Sequence, residues 1–107
     1  MTTFDEREHA YEAKFAHDEE LRFKAKARRD RALGEWVAAQ LGLSGAEAGD
    51  YAKEVLRLDF NQPGDSNLIA KVLADFRAKG VALDEPALKK KLVELMAQAV
   101  TDMEAGR

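Results

Sequence analysis

The sequence predicts an all-α fold, a four-helix bundle with a long first helix and a mobile N-terminal arm. Residue types that favour helices, above all Ala, Leu, Glu, Lys and Arg, dominate the 107 residues. Apolar residues recur at helical spacing in successive stretches, and no stretch alternates apolar and polar residues long enough to indicate a strand. Connections of about three to six residues then favour antiparallel neighbours in a bundle.

The first helix is predicted to begin at Thr3, because Glu6 follows three residues later and the pair matches a capping box. Gly42 marks its end. Residues 1–18 have few packing partners, and a lone helix of that length is marginal in water. We therefore divide the chain into an N-terminal arm, residues 1–18, and a four-helix bundle domain, residues 19–107.

One face of this first helix changes character along its length. At the helical increment of about 100° per residue, aromatic, then basic, then apolar residues share one stripe. Because Arg and Lys side chains are rarely buried unpaired, we expect the basic turns to lie in water. The aromatic front and the apolar back should therefore have different partners. In chain order the stripe consists of Phe4, Tyr11, Phe15, Arg22, Lys26, Arg29, Leu33, Trp36 and Val37.

Capping and turn signals delimit the second and third helices. The second should begin after Ser44, which has a glutamate three residues later, and end near Phe60. A turn follows at residues 61–64. The third should open at Asp65 or Ser66 and stop at Gly80, since glycine is the usual residue at a helix C-terminus.

The fourth helix should open at Asp84, with Pro86 in its first turn, and fray at its last residues, 104–107. The apolar faces of the four helices can then close one core without the aromatic residues of the arm. The predicted core consists of Leu33, Trp36, Val37, Leu41, Tyr51, Val55, Ile69, Val72, Phe76, Leu88, Leu92 and Leu95.

The charges are segregated along the chain, although the net charge is only −3. Residues 1–20 carry −5, residues 21–32 carry +5, and residues 33–107 carry −3. The basic residues of the middle segment spread over two opposite helix faces, whereas nucleic-acid binding needs a one-sided basic patch. No nucleic-acid partner is therefore predicted.

Several classes of function are disfavoured by composition. The chain has no cysteine, which rules out disulfides and thiol catalysis. His9 and His17 lie about 12 Å apart along a helix, too far to share a metal, so exposed surface histidines are favoured over a metal site or a pH sensor. We predict no enzyme activity, no catalytic residue and no metal. Without an apolar run that could span a bilayer, no direct membrane insertion is expected and the cytoplasm is the default location.

The turn at residues 63–66 offers free backbone N–H groups that could hold a nucleotide phosphate. It lacks the spacing and the lysine of a P-loop, and the Asp65 carboxylate would repel a phosphate. A capped turn is therefore favoured. No cofactor is predicted, and ATP or ADP is kept as the alternative.

The aromatic residues of the arm suit an α-helix that binds in a groove of another protein. Phe4, Tyr11 and Phe15 are spaced by seven and four residues and are surrounded by charged residues. The same pattern also suits a helix that folds back on its own bundle. The residues alone leave both interpretations open.

Short motifs distributed over almost the whole chain resemble one known family. They include Phe4-Asp5-Glu6-Arg7-Glu8, Leu33-Gly34-Glu35-Trp36, Asp59-Phe60 and Pro63-Gly64-Asp65, with residues 12–18, 21–24, 27–29, 41–43 and 50–52. The chain resembles the zeta subunit family, inhibitors of the α-proteobacterial F-type ATP synthase. The resemblance implies a small four-helix protein that inhibits ATP hydrolysis. It also implies that the N-terminal segment becomes ordered as a helix in a catalytic α/β interface near the central rotor, with the bundle as an anchor.

For the arm, the resemblance implies aromatic anchors and charged residues that fix the register. The expected partners are the catalytic α and β subunits and the central rotor subunit, with the free protein a monomer. The expected location is cytoplasmic, peripheral to the inner-membrane synthase. A helical adaptor of another cytoplasmic complex and a small nucleotide-binding sensor are the alternatives. The predicted partner-binding residues are Phe4, Asp5, Arg7, Glu8, Tyr11, Glu12, Lys14 and Phe15.

Overall fold

The computed structural model describes residues 18–62 and 64–107. They form four α-helices: α1 (Glu19–Gln40), α2 (Gly45–Asn61), α3 (Asp65–Lys79) and α4 (Glu85–Glu104). No strand occurs in these residues, so the predicted all-α, four-helix fold is confirmed. Within the same ranges no helix is long and apolar enough to cross a membrane.

The start of α1 is fixed by a side-chain cap. Asp18 has extended backbone angles, and its carboxylate accepts a hydrogen bond from the backbone N–H of Leu21 at 3.1 Å. This bond satisfies one of the N–H groups that a helix leaves free in its first turn. The start predicted at Thr3 lies outside the described residues. At the other end α1 stops at Gln40, two residues before the predicted stop at Gly42.

The ends of the other helices follow the local signals closely. Ser44 is the N-cap of α2 as predicted, but its side chain makes no capping hydrogen bond. Gly80 ends α3 with a φ of 71°, a left-handed conformation that glycine adopts without the strain of a Cβ. Asp84 caps α4 by accepting from the backbone N–H of Ala87 at 3.0 Å, with Pro86 in the first turn.

The core lies between the four helices and is largely the predicted one. Trp36, Leu41 and Leu95 are only partly buried and pack against it, and the prediction omitted Ala38 and Leu68, which are fully buried. The predicted residues that are buried are Leu33, Val37, Tyr51, Val55, Ile69, Val72, Phe76, Leu88 and Leu92.

The first two helices approach each other most closely at a glycine. A Cβ at Gly34 of α1 would lie 2.6 Å from the Cα of Ala52 of α2, closer than carbon atoms can approach. The small residues at this crossing therefore set the distance between α1 and α2. α2 is tied in turn to α3, because the hydroxyl of Tyr51 donates to the carboxylate of Asp75 at 2.6 Å.

Candidate functional site

The region of interest is the end of the bundle at which the N-terminal arm joins α1. The predicted partner-binding residues of the arm all lie outside the described residues, so their contacts stay predictions. The structure does describe the start of α1, which follows these residues in the chain. These arm residues are Phe4, Asp5, Arg7, Glu8, Tyr11, Glu12, Lys14 and Phe15.

The basic turns of α1 do not all lie in water, contrary to the sequence prediction. Arg22 is exposed and Lys26 is half-buried, but only 5% of the surface of Arg29 is exposed. Burial of a guanidinium is tolerated because carboxylates pair with it and satisfy its N–H groups. The cationic stripe is therefore partly a structural element of the bundle.

Arg29 donates hydrogen bonds to two carboxylates in a fixed geometry. Its Nη1 and Nη2 atoms donate to the Oδ2 and Oδ1 atoms of Asp65 at 3.2 and 2.8 Å, which makes a two-pronged pair with the first residue of α3. Its Nε and Nη2 atoms also donate to Oδ1 of the neighbouring Asp30 at 3.0 and 2.9 Å. Planar, bidentate pairing of this kind suits arginine and not lysine.

A second buried carboxylate, Asp59 of α2, completes this ionic cluster. Its Oδ2 atom lies 3.4 Å from Nζ of Lys26 and 3.6 Å from Nη2 of Arg29. Its Oδ1 atom is buried and has no hydrogen-bond partner. Burial raises the pKa of Asp30 to about 7, and the hydrogen bond with Asp59 acts in the same direction. A protonated Asp30 can donate to Asp59, which relieves the repulsion between the two acids.

We call Lys26, Arg29, Asp30, Asp59 and Asp65 the ionic cluster. It joins α1 to α2 and to the first turn of α3. The cluster therefore helps to fix the position of α1 against α2 and α3. The charges of Lys26 and Arg29 are thus paired with carboxylates inside the cluster.

A groove runs beside the cluster between α1, α3 and α4, with a volume of about 850 Å³. We call it the α1–α4 groove. Its walls are mainly apolar and come largely from α4, while Arg22, Lys89 and the partly exposed Asp65 supply charged groups of both signs. The residues of α4 that line it are Lys89, Leu92, Val93, Met96, Ala97 and Val100.

A second groove, the α1–α2 groove, has a volume of about 610 Å³ and lies where α1 meets α2. Phe23 and Phe60, which are 58% and 67% exposed, meet there edge to face with ring centroids 6.0 Å apart. The sequence analysis used Phe60 only as the end of a helix and as part of the short Asp59-Phe60 motif. Exposed aromatic pairs are missed in this way because a single apolar residue at a helix end indicates little by itself.

The turn before α3 was the alternative location for a nucleotide phosphate. Gly64 precedes α3, and the Asp65 carboxylate is held by Arg29 as described above. The Asp65 carboxylate is thus already paired with the nearest guanidinium, that of Arg29. ATP or ADP binding at this turn stays a prediction.

Comparisons with known proteins identify relatives of the chain. The family model described as ATPase inhibitor subunit zeta matches residues 1–102. A chain solved by solution NMR is similar in structure, with a TM-score of 0.69 and 39% sequence identity. The similarity covers 81% of this chain and 99% of that one. No curated protein matches the chain.

Proposed function

The chain belongs to the ATPase inhibitor subunit zeta family, and we propose that it inhibits ATP hydrolysis by inserting its arm into a catalytic α/β interface of the F-type ATP synthase. The observation that carries the proposal is the extent of the family match. Residues 1–102 include the whole arm as well as nearly all of the bundle. The predicted assignment to this family is thereby confirmed.

The proposed mechanism is steric. A helix held between two subunits that must open and close during each catalytic cycle stops the cycle. Phe4, Tyr11 and Phe15 share one helical stripe and serve as apolar anchors, in the way that amphipathic helices bind in grooves. The charged residues of the arm, including Arg7 and Glu12, fix the register of the helix. No group of the chain needs to do chemistry in this mechanism.

In this mechanism the bundle is the rigid anchor of the arm. α1 is held by the core through Leu33 and Val37, and by the ionic cluster through Arg29. Because the arm is covalently joined to α1 at Asp18, the position of the bundle limits where the arm can reach. The partners proposed are the catalytic α and β subunits, with the central rotor subunit at the tip of the inserted helix. The site of action is then the synthase head at the periphery of the inner membrane.

The decisive experiment measures ATP hydrolysis by the synthase head with increasing amounts of the full chain. We expect saturable inhibition by the natural chain and loss of inhibition when Phe4, Tyr11 and Phe15 are all replaced by serine. The control is Ala13→Ser, which lies on the opposite face of a helical arm and should inhibit normally. Full hydrolysis at every ratio of natural chain to synthase would falsify the proposal.

A further inference from the structure

The α1–α2 groove is formed by matching faces of two helices. The residues of α1 that line it follow one another at i, i+3, i+4 and i+7, which is the spacing of a single helix face. Four of the five lining residues of α2 have the same spacing. The groove is therefore a continuous surface shared by two helices. Its lining residues are Phe23, Lys26, Ala27, Asp30, Lys53, Leu56, Arg57, Asp59 and Phe60.

Two aromatic side chains of this groove are largely exposed to water. In the described part of the chain three large apolar side chains are mostly exposed, and two of them, Phe23 and Phe60, are in contact here. The half-buried Leu56 lies in the same groove. Apolar residues scattered singly over a surface need no explanation, but a contiguous apolar patch marks a binding surface. We therefore looked for the chemistry of a partner in the charges around these rings.

The exposed charges of the groove are cations. Lys53 and Arg57 are exposed and lie one turn apart on α2, about 6 Å along the helix axis. Neither forms a hydrogen bond or ion pair with any other described residue. Glu54, which lies between them in sequence, pairs instead with Lys71 at 3.3 Å. Two cations beside the aromatic patch are thus available to an acidic partner.

The acids that line the groove do not cancel these cations at the surface. Asp30 and Asp59 are only 2% and 4% exposed. Asp30 accepts hydrogen bonds from Arg29 at 2.9 and 3.0 Å, and Asp59 lies 3.4 Å from Nζ of Lys26. Because both carboxylates are buried and paired with cations of α1, the charge that the groove presents to a partner is positive.

These features favour a protein partner over other occupants. Aromatic residues and arginine are enriched at the centres of protein interfaces. A second copy bound symmetrically through this groove would bring Lys53 and Arg57 of each copy towards the same cations of the other. A small ligand needs polar groups that are free to orient it, but those at the base of the groove are paired with each other. Nucleic acid is bound through many phosphates, for which two cations on one turn are too few.

We propose that the α1–α2 groove binds an acidic segment of another protein, which packs an apolar side chain against Phe23 and Phe60 and pairs its carboxylates with Lys53 and Arg57. The identity of the partner rests on the proposed function: the segment belongs to the outer surface of the synthase head. The groove is then the surface by which the bundle is anchored. Once the bundle is bound there, insertion of the arm becomes an intramolecular step with a high effective concentration.

A charge reversal in the groove tests the proposal in the hydrolysis assay. The groove variant combines Lys53→Glu with Arg57→Glu. The matched control combines Lys90→Glu with Arg28→Glu, which makes the same change of net charge at exposed residues outside the groove. We expect the concentration for half-maximal inhibition to rise about tenfold or more in the groove variant, as for the loss of central interface contacts. The control should inhibit like the natural chain, and equal inhibition by the two variants overturns the proposal.

The aromatic patch has its own matched pair of variants. Phe60→Ser removes an exposed ring from the groove, and Val93→Ser removes an exposed apolar side chain from α4. We expect only Phe60→Ser to weaken inhibition, again by about tenfold. Thermal unfolding followed by circular dichroism confirms that both variants are folded. Equal inhibition by the two folded variants contradicts a contact at the aromatic patch.

Chemical cross-linking identifies the occupant of the groove. A carbodiimide joins a lysine amine to a carboxylate only where the two groups are in contact. In the complex of the natural chain with the synthase head, we expect Lys53 to be linked to an aspartate or glutamate of the head, and Lys90 to be linked much less. Linkage of Lys53 only to acids of its own arm, or to a second copy of the chain, identifies another occupant and overturns the proposal.

The two assays separate this proposal from the proposed function. If only the proposed function fails, the natural chain does not inhibit hydrolysis at any ratio, yet Lys53 is still linked to the head. If only the present proposal fails, the natural chain inhibits hydrolysis, the groove variant inhibits as well as its control, and Lys53 is not linked to the head.

Discussion

Arg29 and Asp65 lie 36 residues apart and meet in a two-pronged ion pair, with nitrogen to oxygen distances of 2.8 and 3.2 Å. The pair links the middle of α1 to the first turn of α3. Its guanidinium is buried, while the Asp65 side chain remains partly accessible to water. Because Arg29 also pairs with Asp30, removal of this one cation leaves acids in the interior without their partner.

Arg29→Ala should therefore destabilise the bundle strongly. Removing one partner of a buried ion pair typically costs about 3–5 kcal/mol. Urea unfolding followed by circular dichroism measures the loss. Arg28→Ala is the matched control, because Arg28 is exposed and its replacement should change the free energy of unfolding by less than about 0.5 kcal/mol. Similar losses in the two variants would show that the ionic cluster contributes little.

Asp30 should make the stability of the bundle depend on pH. Asp30 has a pKa of about 7 when folded, against an ordinary value of 3.8, because burial disfavours its charged form. Between these two values the folded protein binds more protons than the unfolded chain. The contribution of Asp30 is therefore fully present below about pH 4 and is lost as the pH rises to about 7.

Asp30→Asn tests this dependence, since the amide stays neutral at every pH. Urea unfolding at several pH values from 4 to 8 should show a smaller decrease in the free energy of unfolding for the variant than for the natural chain. The difference between the two proteins should level off above the folded pKa. A parallel decrease in both proteins would assign the pH dependence to other groups.

Replacement of two glycines by alanine should change the free energy of unfolding in opposite directions. A Cβ at Gly34 would meet the backbone of Ala52 at 2.6 Å, so Gly34→Ala must push α1 and α2 apart, at a cost of about 1–3 kcal/mol. A Cβ at Gly49, within α2, meets nothing within 4 Å. Gly49→Ala should stabilise the protein by about 0.5–1 kcal/mol because alanine favours the helix. Thermal unfolding of both variants checks the pair, and a loss in both would refute the packing argument.

Deletion of residues 1–17 should leave a folded bundle that no longer inhibits hydrolysis. All buried residues named for the core lie between residues 25 and 99, and Asp18 is retained as the N-cap of α1. A cooperative thermal transition in the truncated chain is expected. A gradual, non-cooperative melt would show instead that the arm is part of the core.

Local signals were sufficient for the helix ends but not for the ionic cluster. Gly80 and Asp84 act through their own backbone and nearest neighbours, so their roles could be predicted from short motifs. Arg29 was predicted to lie in water because two of its three carboxylate partners, Asp59 and Asp65, are distant in sequence. Helical periodicity describes one helix at a time and cannot reveal a partner on another.

The residues of α4 that line the α1–α4 groove were overlooked for a related reason. The sequence analysis placed Leu88, Leu92 and Leu95 of the fourth helix in the core and gave no role to Val93, Ala97 and Val100. Only the packed bundle shows that these residues lie outside the core. The arm itself is beyond the described residues, so the predicted site residues await the experiments above.

The N-cap at Asp18 adds a free-energy cost to any continuous helix that runs from the arm into α1. Its extended backbone, with φ of −116° and ψ of 103°, interrupts any helix that arrives from the arm. For arm and α1 to merge into one continuous rod, Asp18 must turn helical and its carboxylate must release the N–H of Leu21. Losing such a cap costs about 1 kcal/mol. A continuous helix needs this free energy from contacts with its binding partner. Asp18→Ala removes the cap and with it this free-energy cost. Asp18 therefore also determines how readily the arm and α1 form one continuous helix.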